Sequence, residues 1–143
     1  MVKINIYTEV INNMATIAFR MDANKDLVTT STTRIYQHES KVDSIAFLLP
    51  TNYNELDLGE FKVVLKYTDF ANNMHAVELE KDDEVYQDMY YRYIFEITSE
   101  MTQIAGELEF MIEVSKGEDT VLHTGTAKLT ILPWKDYKVL ENN

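Results

Sequence analysis

Glu107-Leu108-Glu109-Phe110-Met111-Ile112-Glu113-Val114 decides the fold class. Leu108, Phe110, Ile112 and Val114 fall on one side of an extended chain, and Glu107, Glu109 and Glu113 fall on the other, because successive strand side chains point to opposite faces. A helix would scatter the same residues around its girth. The stretch is therefore a strand with one buried and one wet face. Ser115-Lys116-Gly117-Glu118-Asp119 follows, and Gly117 can supply the positive φ of a hairpin turn. The return strand covers Thr120 to Leu132. Ala127, Leu129 and Ile131 point in, Lys128 and Thr130 point out, and Gly125 marks a bulge where the facing changes.

Outward from this hairpin the same period recurs. Phe61, Val63, Leu65 and Tyr67 alternate with Lys62 and Lys66. Tyr91, Tyr93, Phe95 and Ile97 alternate with Arg92 and Glu96. Ile45, Phe47 and Leu49 form a strand that Pro50 ends, since proline cannot donate to a ladder. His75, Val77 and Leu79 face in, and Glu78 and Glu80 face out. Val2, Ile4 and Ile6 suggest a further strand near the start. Ala15, Ile17, Phe19 and Met21 read as a strand or as a helix, with a turn at Ala23-Asn24-Lys25-Asp26. Leu27 to Tyr36 is threonine-rich and suits a pleated surface. Asn-rich Thr51 to Gly59 reads as a loop, Ala71-Asn72-Asn73 as a tight turn, and Lys81 to Asp88 as a charged loop. One short helix is expected near 99–105, with Thr98 or Ser99 as cap, Met101, Ile104 and Ala105 on one face, and Gly106 ending it. About eight to ten short antiparallel strands at roughly ten-residue spacing predict an all-β fold, a β-sandwich.

The chain has 143 residues, 45% of them hydrophobic, which suits a single domain over 1–143 with a core of its own. It has no cysteine, so disulfides, thiolate metal sites and cysteine nucleophiles are excluded. Its net charge is −11, with 13 Lys and Arg and no run of them, so neither nucleic acid nor an anionic membrane is an expected partner. No stretch approaches the ~20 apolar residues of a membrane span, so no membrane insertion is expected. Met1-Val2-Lys3-Ile4-Asn5 alternates instead of forming the apolar block of a secretory leader, and synthesis in a cytoplasm is expected.

Tests for chemistry return nothing. His38, His75 and His123 lack a second ligand at metal spacing. The acids Glu78, Glu80, Asp82, Asp83, Glu84 and Asp88 cluster, but without the glycine and ligand spacing of a calcium loop, and nothing pairs two of them as glycosidase carboxylates. The four glycines build neither a phosphate cradle nor a nucleophile elbow. No catalytic residue, metal ligand or cofactor is expected. Aromatics are the remaining signal. Tyr91 and Tyr93 read as core. Tyr86 crowds the same strand entry, and Tyr90, of opposite strand parity, is open to an interface role. Trp134, after Pro133, either packs beneath the sandwich or anchors a partner.

Three stretches carry a resemblance in order: Thr33-Arg34-Ile35-Tyr36-Gln37-His38-Glu39-Ser40-Lys41-Val42-Asp43-Ser44-Ile45-Ala46-Phe47, then Ile97-Thr98-Ser99-Glu100-Met101-Thr102-Gln103-Ile104-Ala105-Gly106-Glu107-Leu108, then Val121-Leu122-His123-Thr124-Gly125-Thr126 running into Ile131-Leu132-Pro133-Trp134-Lys135-Asp136-Tyr137. Together they resemble the N-terminal β-sandwich domain of tailed-bacteriophage virion structural proteins, of the upper-baseplate, tail or head-fibre type, over roughly Ser31 to Tyr137. The resemblance implies an immunoglobulin-like fold. It also implies a non-enzymatic virion protein of the capsid, neck, tail or baseplate, made in the host cytoplasm. Its partners would be other virion proteins, and copies of itself in a symmetric particle. Residues 1–30 lie outside the resemblance and are expected to be an arm whose strand, with Ile4 and Ile6, pairs with a neighbour. Residues 138–143 are a C-terminal tail. The candidate interface residues are thus Ile4, Ile6, Tyr86, Tyr90, Trp134 and Tyr137. The alternative is a carbohydrate-binding or adhesin-like module contacting a host surface, a role the nine tyrosines would serve.

Overall fold

The computed structural model describes residues 15–69 and 71–135. Its strands are β1 (Ile17–Met21), β2 (Leu27–Val28), β3 (Ile35–Tyr36), β4 (Ser44–Pro50), β5 (Asn52–Tyr53), β6 (Leu56–Asp57), β7 (Lys62–Thr68), β8 (Met74–Leu79), β9 (Tyr90–Glu96), β10 (Gly106–Lys116), β11 (Thr120–His123) and β12 (Ala127–Leu132). A 3-10 turn at Leu58–Glu60 and one short helix, α1 (Ser99–Thr102), complete it. The fold is all-β, as the alternation requires. A four-stranded sheet runs β2-β1-β4-β9, and a six-stranded one runs β3-β12-β10-β7-β8 with β11 also on β10.

The two sheets face each other across a single core. Leu108, Phe110, Ile112 and Val114 of β10 are buried, as are Ile45, Phe47 and Leu49 of β4. The Phe47 and Phe110 rings meet between the sheets with their centroids 6.3 Å apart, and Tyr67 meets Phe95 at 5.6 Å. Each buried side chain of this size removes enough apolar surface from water to stabilise the fold by roughly 1.5–3 kcal/mol. β4 is buried on both faces, Ala46 and Leu48 included, and lies inside its sheet between β1 and β9.

Several expectations change. The strands are not all antiparallel: β1 runs parallel to β4, and β3 parallel to β12. The stretch from Ala15 to Met21 holds the strand its alternation suggests, at Ile17–Met21, and not the alternative helix, with Ile17, Phe19 and Met21 buried. β1 and β2 therefore belong to the domain's own sheet, and only residues 1–14 of the expected arm, with Ile4 and Ile6, lie outside the described residues. The threonine-rich stretch pairs only at its two ends, because it switches sheets: β2 lies on β1 and β3 on β12. Between them Ser31 Oγ accepts from Ala18 N–H, and Thr33 Oγ1 donates to the Thr16 carbonyl. The return strand breaks into β11 and β12 around Gly125, whose N–H donates 2.8 Å to the Lys25 carbonyl in the β1–β2 turn. A Cβ there would lie 3.0 Å from Asp26 Oδ1, a tight approach to the end of that side chain. The helix is shorter than expected. Met101 is buried, but Ile104 is exposed beyond its end.

Candidate functional site

Strand register gives the sandwich two ends. One end, here called distal, holds the adjoining ends of β4, β7, β8, β9 and β10: Pro50 pairs with Tyr90, Lys62 with Ser115, and Val63 with Leu79. The other, near end holds Ile17, Ser44, Met74, Gly106 and Ile131. Thr16 N–H donates to the Ser44 carbonyl, and Trp134 follows Leu132, so the described chain both enters and leaves at the near end.

The distal end is built from three turns. In the first, Tyr86 and Tyr90 bridge directly, with Tyr86 N–H donating 2.7 Å to the Tyr90 carbonyl. Gln87 and Asp88 between them take φ of 54° and 58°, the paired left-handed geometry of a tight hairpin. The two sequence candidates thus come together. Behind them the Arg92 guanidinium lies 5.0 Å from the Tyr86 ring centre and donates from Nε to Asp82 Oδ2 at 2.8 Å. Tyr86 is 37% exposed, Val85 41% and Met89 58%, while Tyr90 is half-buried. Val85 and Met89 were not among the sequence candidates. Their charged neighbours hide them in a composition-based reading of Lys81 to Asp88 as a loop.

The second turn is a small hairpin of β5 and β6, unforeseen in the sequence. Asn54 and Glu55 at its tip have φ of 51° and 68°, and glutamate is rarely left-handed. Asp57 Oδ1 accepts from the Tyr91 hydroxyl at 2.7 Å and from Gly59 N–H at 3.0 Å. The Tyr91 hydroxyl, with Gly59 N–H second, holds the Asp57 carboxyl below its usual range, and the same bond to Asp57 pushes the Tyr91 phenol up. Lys81 Nζ sits 4.8 Å from the Tyr91 ring centre, and Thr51 N–H donates to the Met89 carbonyl, tying this hairpin to the first turn. In the third turn Gly117 has φ of 66°, and Lys116 Nζ meets Glu60 Oε1 at 2.9 Å.

At the near end Trp134 is 59% exposed. Its backbone N–H donates to Gln37 Oε1 at 3.0 Å, and its ring stands edge-on to Tyr36 with centroids 6.0 Å apart. It rests on the surface and not beneath the sandwich. Gln37, His38 and Glu39 complete a shallow cleft beside it. Tyr137 lies outside the described residues. Nearby, His75 Nε2 meets Asp69 Oδ2 at 2.8 Å and stacks on Tyr67. That contact first, then the Asn73 and Ala71 N–H groups, lowers the Asp69 carboxyl to about 2. His123 pairs with Glu113 at 2.9 Å. Among the described residues, no group of three or more His, Asp or Glu side chains could hold a metal ion. Also among them, no helix is long and apolar enough to cross a membrane.

Compared with protein-family models and with curated proteins, the chain matches none.

Proposed function

We propose that this chain is a non-enzymatic structural protein of a tailed-bacteriophage particle, acting in the capsid, neck, tail or baseplate by binding other virion proteins. The three stretches that resemble phage β-sandwich domains support the setting. The observation that carries the assembly role is the placement of exposed apolar side chains. Val85, Tyr86 and Met89 stand at the distal end, and Met74, Ile104 and Trp134 at the near end. Large apolar groups held in water at the tips of a domain are a marker of contact surfaces. A sandwich of this kind joins neighbours end to end without any reactive centre. Mass spectrometry and a cryo-EM map of the particles whose genome encodes this chain test the proposal. Fixed, symmetric density for the sandwich is expected. Absence of the chain from purified, DNA-filled particles refutes it.

A carbohydrate-binding role has one observation in its favour, the exposed Trp134 ring beside Tyr36, Gln37 and Glu39. An indole face packs on a sugar ring while an amide and a carboxylate accept or donate to its hydroxyls. Glycan-array binding that vanishes in Trp134→Ala and persists in Tyr90→Ala, at the opposite end, would favour this reading. A blank array with the native protein removes it.

A further inference from the structure

Given the assembly role proposed above, the geometry points to the distal end as the docking surface for a different protein, one that presents a lysine- and arginine-rich segment with apolar side chains between its charges. Three observations converge on this surface. First, Val85, Tyr86 and Met89 project from one tight turn, exposed and adjacent in the chain. Second, this end holds the chain's charge. Residues 51–60, 80–89 and 116–120 contain ten carboxylates against two lysines, so three turns carry eight of the eleven net negative charges. Asp83, Glu84 and Asp88 flank the apolar trio, are exposed, and make no salt bridge among the described residues. Third, the surface is preorganised. Paired left-handed residues shape two of the turns, and Tyr91–Asp57, Arg92–Asp82 and Lys116–Glu60 contacts brace them, so little ordering remains to be done on binding.

The same charges select the occupant. Two copies meeting distal end to distal end would oppose eight net negative charges with eight more. The near-end loops, 37–43, 69–73, 97–105 and 133–135, carry four carboxylates and two lysines, so a copy stacked head to tail offers no attraction either. Nucleic acid and anionic lipid are repelled. A basic partner is steered in by the field, and its apolar side chains then cover Val85, Tyr86 and Met89. Both described chain ends lie at the opposite end.

The test is an NMR titration of the full chain with three synthetic peptides: lysine- and arginine-rich with interspersed Leu and Phe, equally basic without apolar residues, and acidic with the same apolar residues. The first is expected to shift amides of 51–60, 80–89 and 116–120 and to bind at least tenfold more tightly than either control. Asp83→Lys/Glu84→Lys/Asp88→Lys is expected to weaken it at least tenfold, as is Tyr86→Ser/Met89→Ser, with the amide spectrum of β4 and β10 unchanged in both. Equal binding of the first two peptides leaves charge attraction alone and overturns the proposal. So do shifts at the near end, shifts spread over the whole surface, or binding unmoved by the charge reversal. Particle incorporation separates the two levels. Native protein in particles together with equal incorporation of the charge-reversed variant refutes the distal contact and leaves assembly standing, whereas native protein missing from particles refutes assembly itself.

Discussion

Gly59→Ala is the sharpest single perturbation of the distal end. A Cβ at residue 59 would lie 2.6 Å from Tyr91 Cζ, 2.7 Å from its hydroxyl oxygen and 2.8 Å from Cε2, all closer than real Cβ contacts. The backbone of residue 59 needs no positive φ, so the conflict is with the Tyr91 ring alone. The ring has to swing away, giving up its contacts with Asp57 and Lys81. Overpacking of this kind costs about 1–3 kcal/mol. With a urea m-value of about 2 kcal/mol/M, the midpoint followed by circular dichroism falls by roughly 0.5–1.5 M. In a Tyr91→Ala background the clash is gone, and the same substitution becomes neutral or stabilising by up to about 1 kcal/mol, because alanine narrows the unfolded ensemble. The cycle should therefore show a coupling of about 1–4 kcal/mol. Equal costs in the two backgrounds would refute the packing of the β5–β6 hairpin on β9.

Phe110→Ala empties the contact between the sheets and should destabilise by about 3–5 kcal/mol with an unchanged urea m-value; a cost under 1 kcal/mol would contradict the shared core. Asp69 has a lowered carboxyl pKa of about 2, so its stabilising contribution is present above the ordinary value of 3.8 and is lost as pH falls through about 2. Asp69→Asn keeps an acceptor for Ala71 and Asn73 N–H but not the charge facing His75, so native and variant stabilities should differ at neutral pH and converge in acid. Burial first, then Tyr91 and Asp57, pushes the Tyr93 phenol up to about 12. Its neutral form is favoured in the folded state, so that contribution holds below the unfolded value near 10 and disappears as pH rises through 12. Phenolate absorbance should show a tyrosine that ionises near 12 and that Tyr93→Phe removes.

The strands with one wet face were legible in the sequence because burial imposes period two on them. β10 and β7 follow their alternation residue by residue, whereas in β9 only Tyr93 is fully buried and its neighbours on both faces are half-buried. What depends on distant partners was not. Nothing local tells β1 to run parallel to β4, and the stretch between β2 and β3 looks pleated although it spends its length crossing between sheets. The β5–β6 hairpin was hidden because its turn places a glutamate, not a glycine, at positive φ. Gly125 was recognised as a break, but its hydrogen-bond partner, Lys25, is a hundred residues upstream. Of the candidate site, the tyrosines were legible and their setting was not. Tyr86 and Tyr90 were singled out by parity and abundance, yet the distal surface joins segments near 55, 85 and 118 that only the fold assembles.

The most direct measurement is photo-cross-linking inside assembled particles, with a benzophenone amino acid in place of Tyr86 in one sample and of Met74 in another. Tyr86 is expected to capture a lysine- and arginine-rich segment of a different virion protein, with the yield lost in the Asp83→Lys/Glu84→Lys/Asp88→Lys background. Cross-links from position 74 alone, or from position 86 to an acidic segment or to another copy of this chain, would contradict the account.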